Sequence, residues 1–115
     1  MNKSIYFSDQ ELACSCCGIS KVKQEFLDKL DDARSLSKTA YTITSGYRCK
    51  KHNKEVGGAD NSLHITGEAV DISANTDRKR FEILKGLIEA GFTHIGIAKE
   101  FIHADSSKKR AIWLY

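Results

Sequence analysis

The chain has 115 residues, of which 41% are hydrophobic and 29% charged, with a formal net charge of +3. This length predicts a single folded domain over residues 1–115 with a real hydrophobic core. The modest charge argues against nucleic-acid binding, which favours a stronger basic stripe. No segment has the ~20 apolar residues of a membrane span. Residues 1–7 lack the apolar stretch of a secretory signal, so we expect synthesis in the cytoplasm. We also expect the protein to be a monomer.

The N-terminal third is predicted to be helical. Ser8 and Glu11 form a capping box that begins a short first helix, with Phe7 and Leu12 at the flanking staple positions. A second helix is predicted over residues 21–37 because apolar residues recur there at helical spacing, namely Val22, Phe26, Leu30, Ala33 and Leu36.

The middle of the chain is predicted to alternate strands with a short helix. Residues 40–44 are rich in β-formers, and residues 50–55 form a helix that ends at Gly57-Gly58. A strand follows over residues 68–73. Its period of two places Val70 and Ile72 on one face and Asp71 on the other.

The last part is predicted to hold a third main helix and three strands. Residues 75–77 cap the helix, Phe81, Leu84 and Ile88 form its inner stripe, and Gly91 ends it. Strands are predicted over residues 93–98, 101–105 and 111–115. The late strands lack helical crossovers, so we expect an α+β fold in which helices pack on an antiparallel sheet.

Three side chains suggest metal chemistry. His64, Asp71 and His103 supply two imidazoles and one carboxylate, a ligand set for catalytic zinc that leaves a fourth position for water. The chain carries no phosphate-binding glycine loop, no nucleophile elbow and no HExxH motif. A zinc-dependent hydrolase is therefore the chemistry that these residues favour.

Such a hydrolase needs a base and a second positive charge. Glu100, three residues before His103, is a candidate base if residues 99–100 form a turn; otherwise it is an exposed surface acid. Arg48 is a candidate for stabilising an oxyanion or clamping a substrate carboxylate, or it pairs with a structural acid.

Ser62 and Asp105 flank the two histidines at a distance of two residues. Both are candidates for orienting the imidazoles, or else they are turn and strand-end residues. His52 and His94 are interpreted as structural, because a lone histidine is a weak signal.

The spacing of these residues resembles a known family. The motifs are Ser45-Gly46-Tyr47-Arg48, His52-Asn53, Val56-Gly57-Gly58, Ser62-x-His64-x-x-Gly67-x-Ala69-x-Asp71 and the sequence from Phe101 to Asp105. Together they resemble the D-alanyl-D-alanine carboxypeptidase family of zinc peptidases, and most closely its small branch that includes phage endolysin peptidases. The resemblance covers nearly the whole chain.

The resemblance implies a specific site and substrate. It makes His64, Asp71 and His103 the ligands of one Zn²⁺ ion, Glu100 the general base and Arg48 the transition-state support, with Tyr47 beside the site. It implies the compact α+β fold shared with Hedgehog signalling domains. The implied substrate is the peptidoglycan stem peptide, cut at D-Ala-D-Ala or at an internal L,D bond, after release of the protein from a bacterial or phage-infected cell.

Four cysteines are interpreted as structural. Cys14, Cys16, Cys17 and Cys49 could hold a second zinc ion, form a disulfide to Cys49, or stay as free thiols. The cytoplasmic compartment favours free thiols, and the spacing does not favour the metal, because all-cysteine sites usually use two separated knuckles.

Two other classes of function stay open. A protein of this fold could be a non-catalytic zinc-containing module that binds the cell wall or another protein. A cytosolic metalloprotein that uses its cysteines for sensing is a weaker hypothesis, and it predicts metal at the thiols with no need for His64.

Overall fold

The computed structural model describes residues 3–115 as a sheet of five strands with the two longest helices packed on one side. In chain order the elements are α1 (Asp9–Leu12), α2 (Gln24–Leu36), β1 (Ile43–Ser45), α3 (Lys50–Glu55), β2 (Ala69–Ser73), α4 (Asp77–Glu89), β3 (His94–Ile97), β4 (Phe101–Asp105) and β5 (Ala111–Leu114). The predicted α+β class is confirmed. None of the described helices is long and apolar enough to cross a bilayer.

Local signals in the sequence explain where the helices begin and end. The Ser8 side chain accepts a hydrogen bond from the Glu11 backbone amide, and the Glu11 side chain accepts one from the Ser8 backbone amide, so the predicted capping box is confirmed. Thr76 caps α4 in the same way through the Lys79 amide. Helix α2 begins at Gln24 rather than at residue 21 and has no side-chain cap. The short α3 occupies its predicted residues.

The sheet has the strand order β1-β2-β4-β3-β5 and is mostly antiparallel. The predicted antiparallel sheet is confirmed except at one edge, where β5 pairs with β3 in parallel. The reason is that β4 ends beside the start of β3, and the link of residues 106–110 passes that end before β5 runs along the free edge. Thr93 anchors the link by donating to the Lys109 carbonyl at 3.0 Å.

The hydrophobic core lies between the sheet and the pair α2 and α4. Its fully buried members include Val70, Ile72, Ile95 and Ile102 from the strands. The predicted alternation of β2 is confirmed, because Val70 and Ile72 belong to the core cluster while Asp71 lies outside it. The core therefore lies behind the sheet, and Asp71 faces its front.

The predicted inner stripe of α4 is wrong at two of its three positions, because only Leu84 packs, partly buried, against the core. Phe81 is 63% exposed and Ile88 50% exposed, whereas Ile83 and Leu87 are fully buried. Gly86 explains the register, because a side chain there would collide with the Ala33 carbonyl of α2. The close approach of the two helices puts Gly86 at their contact and turns Ile83 and Leu87 inward.

Candidate metal centre

The candidate ligands lie in one row across the front of the sheet. Asp71 on β2 pairs directly with His103 on β4, which pairs with Gly96 on β3, which pairs with Trp113 on β5. His64 comes from the loop before β2. One ligand atom each from His64, Asp71 and His103 lies within 4.8 Å of the other two. The fold thus brings together the three residues that the sequence suggested.

Each histidine uses one ring nitrogen for orientation and leaves the other for the centre. Nδ1 of His64 lies 2.7 Å from the carbonyl oxygen of Gly46, which can only accept, so this nitrogen donates, and Nε2 faces Asp71 at 3.4 Å. His103 is turned the opposite way: its Nε2 donates to Asp105 at 2.7 Å, and its Nδ1 lies 3.0 Å from Asp71. Two imidazole nitrogens and one carboxylate therefore face each other, a donor set that fits zinc.

The charges at this centre are strongly coupled. Burial would raise the pKa of Asp71, but hydrogen bonds from His103 and His64 outweigh it and hold this pKa well below its usual range. Burial opposes protonation of His103, but its bonds to Asp105 and Asp71 prevail and raise its pKa to about 9. A metal ion that binds Nδ1 of His103 would therefore displace a proton.

Arg48 is fixed beside the ligands by three polar contacts. Its Nε donates to Ser45 at 2.9 Å, its Nη1 to Asn53 at 3.4 Å and its Nη2 to Asp71 at 3.2 Å. A guanidinium has five N–H groups, so two are left for an oxygen in the cavity. Asn53 is itself buried and donates to the Ala59 carbonyl, which ties Arg48 to the glycine loop.

Asp105 links the centre to a second histidine. It accepts from Nε2 of His103, from Nδ1 of His94 at 2.9 Å and from the Ser107 amide. Trp113 packs against both rings, with centroid distances of 4.6 Å to His94 and 5.6 Å to His103. The indole can lie there because Gly96, its neighbour in the sheet, has no side chain to block it.

A cavity of about 650 Å³ opens over this row. The loop of residues 57–64 forms one wall, and the other wall carries Phe101, Trp113, Tyr115 and Lys109. The three candidate ligands and Arg48 lie on its floor. The cavity thus combines an apolar aromatic side with two cationic side chains.

Other residues proposed from the sequence lie elsewhere. Ser62 lines the cavity, but its hydroxyl accepts from the His64 amide and does not orient the imidazole. Tyr47 is buried in the hydrophobic core and does not line the cavity. Glu100 is exposed in the hairpin between β3 and β4. Residues 99–100 form a bend before β4, as a role for Glu100 as base requires, but Glu100 is not among the residues that line the cavity.

Sequence reasoning missed several residues of this site. His94 was interpreted as structural, yet it lines the cavity and contacts Asp105. Trp113 and Tyr115 were assigned only to a strand. The two-residue period of a strand was the available signal, because it places His94 and Gly96 on one face of β3. Trp113 lies on the same face, since it pairs with Gly96 in the parallel register of β3 and β5.

The chain is similar to known peptidases in sequence and in fold. The family model of peptidase M15 matches residues 5–105. No curated protein matches the chain. A crystal structure of the L-Ala D-Glu endopeptidase ChiX from Serratia marcescens shares the fold, with a TM-score of 0.60 and 16% identity over 76% of this chain and 81% of that chain. The chain therefore belongs to the peptidase M15 family, the zinc D-Ala-D-Ala peptidase-like family that its motifs resemble.

Proposed function

We propose that this protein is a zinc-dependent peptidase that hydrolyses peptide bonds in peptidoglycan stem peptides. The observation that carries the proposal is the convergence of His64, Asp71 and His103 on one point at the floor of the cavity, with Arg48 beside them. One chain supplies every residue of this site, so a monomer suffices. The proposed place of action is the bacterial cell wall, reached after release from a bacterial or phage-infected cell.

The proposed ligands are Nε2 of His64, a carboxylate oxygen of Asp71 and Nδ1 of His103. When bound there, zinc supplies a Lewis acid that polarises a carbonyl and lowers the pKa of water from ~15.7 to about 7. The protein orients this centre through the Gly46 carbonyl and the Asp105 carboxylate, which hold each imidazole in one tautomer.

The cavity walls suit an anionic peptide. Arg48 has two N–H groups left for the oxyanion of the scissile carbonyl or for a substrate carboxylate. Lys109 adds a second positive charge at the wall. Stem peptides carry carboxylates and small side chains that end in methyl groups. The aromatic rings of Phe101, Trp113 and Tyr115 offer an apolar surface for those methyl groups.

We propose that the general base is His94, which lines the cavity. The resemblance implies Glu100, but this carboxylate is exposed in the hairpin and the cavity is lined without it. His94 and Asp105 form a hydrogen-bonded pair inside the cavity. We therefore expect His94→Gln to lower kcat by about 10²-fold or more, a usual contribution of a general base, and Glu100→Gln to leave it near the unsubstituted value. Loss of activity in Glu100→Gln would instead identify Glu100 as the general base.

The test is digestion of purified peptidoglycan and of a synthetic stem peptide by zinc-loaded protein, followed by mass spectrometry. We expect release of D-Ala if the terminal bond is cut, or of a stem fragment if the internal L,D bond is cut. A chelated sample and the His64→Ala variant are the controls. Zinc-loaded protein that yields neither product would contradict the proposal.

A non-catalytic binding module is the second candidate, and the position of Glu100 outside the cavity favours it. This function predicts that zinc-loaded protein sediments with peptidoglycan but produces no fragments. Retention on peptidoglycan that requires Arg48 and Trp113, without any cleavage, would support this alternative.

A further inference from the structure

The four cysteines converge on a point separate from the candidate peptidase centre. The sulfur atoms of Cys14, Cys16, Cys17 and Cys49 all lie within 4.8 Å of one another. The measured separations are 3.8 Å for Cys14–Cys16, 3.7 Å for Cys14–Cys49 and 3.3 Å for Cys16–Cys49. Four sulfurs at about 2.3 Å from a tetrahedral zinc ion would be about 3.8 Å apart. The cluster is therefore close to the size of a Zn(Cys)₄ site.

The backbone around the cluster holds the thiols in place. The Gly18 amide donates to the Cys14 carbonyl, and the Cys14 amide donates to the Ile19 carbonyl, both at 2.8 Å. This closes a tight turn that presents three cysteines from one short segment. The fourth comes from the loop after β1, where the Cys49 amide donates to the Cys14 sulfur at 3.5 Å.

A backbone amide of α3 also contacts the cluster. The His52 amide donates to the Cys49 sulfur at 3.4 Å. Hydrogen bonds from backbone amides stabilise negative charge on an acceptor. Four thiolates at these distances would repel one another strongly unless a cation lay between them. Lys50 and Lys51 follow Cys49 directly and partly balance the net charge of a Zn(Cys)₄ centre.

We propose that Cys14, Cys16, Cys17 and Cys49 bind a structural zinc ion as a closed four-thiolate site, in addition to the peptidase centre. Binding of Zn²⁺ releases the four thiol protons and forms four Zn–S bonds, with no change in oxidation state. Three ligands come from one turn and one from a distant loop. This arrangement differs from the usual four-cysteine zinc site, in which two separated segments supply two cysteines each.

A disulfide explains the cluster less well. All four cysteines are free, and the sulfurs of Cys16 and Cys49 are 3.3 Å apart, well beyond a disulfide bond length of about 2.05 Å. A single disulfide would use two thiols and leave two others facing the bond with no partner. A four-coordinate metal uses all four donors at once.

The proposed ion would support the residues of the peptidase centre. It joins residues 14–17 to Cys49, the residue that follows Arg48. The same loop contributes the Gly46 carbonyl that orients His64, and the Tyr47 amide already donates to the Leu12 carbonyl at 2.9 Å. The zinc ion would therefore fix the loop that carries two parts of the peptidase site.

The experiment uses the His64→Ala/His103→Ala double variant, which lacks two ligands of the peptidase centre. We expect the full-length double variant, purified under reducing conditions, to retain one zinc ion per chain by elemental analysis. X-ray absorption at the zinc edge should show four sulfur neighbours at about 2.3 Å. This result does not depend on peptidase activity, so it stands or falls separately from the proposed function.

Substitutions at the cysteines supply the second arm. Cys16 and Cys17 are exposed, so Cys16→Ser and Cys17→Ser in the double variant should fold yet lose the zinc ion. Ser15→Ala, at the neighbouring exposed position, should retain it. A folded double variant that takes up no zinc, that holds its zinc through nitrogen and oxygen only, or that has the mass of a disulfide-bonded chain would overturn the proposal.

Discussion

The two candidate histidine ligands are oriented through opposite ring nitrogens. His64 is oriented by a backbone carbonyl, and His103 by the carboxylate of Asp105, so the first would bind metal through Nε2 and the second through Nδ1. A backbone carbonyl cannot be removed by substitution, but a carboxylate can. The two orienting contacts are therefore open to different experiments.

Asp105→Asn should weaken zinc binding at the histidine centre by about 10- to 100-fold, because an amide orients the imidazole less firmly and makes it a weaker ligand. Competition with a chromogenic chelator measures this change. Asp60→Asn, at an exposed loop position, is the matched control and should have no effect. Equal affinities for the two variants would contradict an orienting role for Asp105.

Arg48→Lys should retain zinc but lower kcat by about 10²-fold, since an ammonium cannot contact Ser45, Asn53 and Asp71 together and still face the substrate. Steady-state kinetics on a stem peptide, with zinc content measured in parallel, test this expectation. Arg78→Lys, on the exposed side of α4, is the control. A variant of Arg48 with full activity would show that the charge alone suffices.

The sequence allowed the three candidate ligands to be predicted together because their spacing forms a motif. The same spacing does not define where the Glu100 carboxylate points, because that direction depends on the backbone of the hairpin between β3 and β4. His94 was missed for another reason: its partner Asp105 lies eleven residues away and is adjacent only after β3 and β4 have paired.

Among the elements, α4 shows how a helical pattern can have two solutions. Phe81, Leu84 and Ile88 lie on one stripe and Ile83 with Leu87 on the next, and both fit a period of 3.6 residues. The choice between them is made by Gly86, which allows α2 to approach. A contact between helices distant in sequence is invisible to the periodicity of either helix.

This register can be tested by stability. Ile83→Ala should lower the free energy of unfolding by about 2–5 kcal/mol, because Ile83 is fully buried in the core. Phe81→Ala should change it by no more than about 0.5 kcal/mol, because Phe81 is mostly exposed. Urea denaturation followed by circular dichroism measures both. A larger loss for Phe81→Ala than for Ile83→Ala would support the stripe first predicted.

The hydrophobic core and the candidate metal centre lie on opposite faces of the sheet. The core lies behind the sheet, between the strands and the helices α2 and α4, while the candidate ligands lie in front. The prediction of an α+β fold succeeded because strand and helix patterns depend on local sequence. The parallel pairing of β5 could not be predicted, because it depends on which sheet edge is left free after β4 has inserted between β2 and β3.

Zinc should therefore stabilise the fold without being needed for its core. At a free zinc concentration 1,000 times the dissociation constant, one site adds about 4 kcal/mol to the free energy of unfolding. We expect the Tm of the unsubstituted protein to rise with zinc concentration and that of His64→Ala to rise less, since it has lost one site. Thermal scans at several zinc concentrations test this, and identical shifts for both proteins would argue against a metal at His64.

The parallel edge strand also affects how the protein can be handled. Tyr115, the residue after β5, lines the cavity, so an affinity tag or a fusion partner joined there would begin at the mouth of the site. The opposite end is better placed, because the Lys3 amide donates to Gln24 at the start of α2, on the far side of the sheet. A tag on the N-terminal side should therefore leave a wall-sized substrate free to enter, and a tag on the C-terminal side should hinder it.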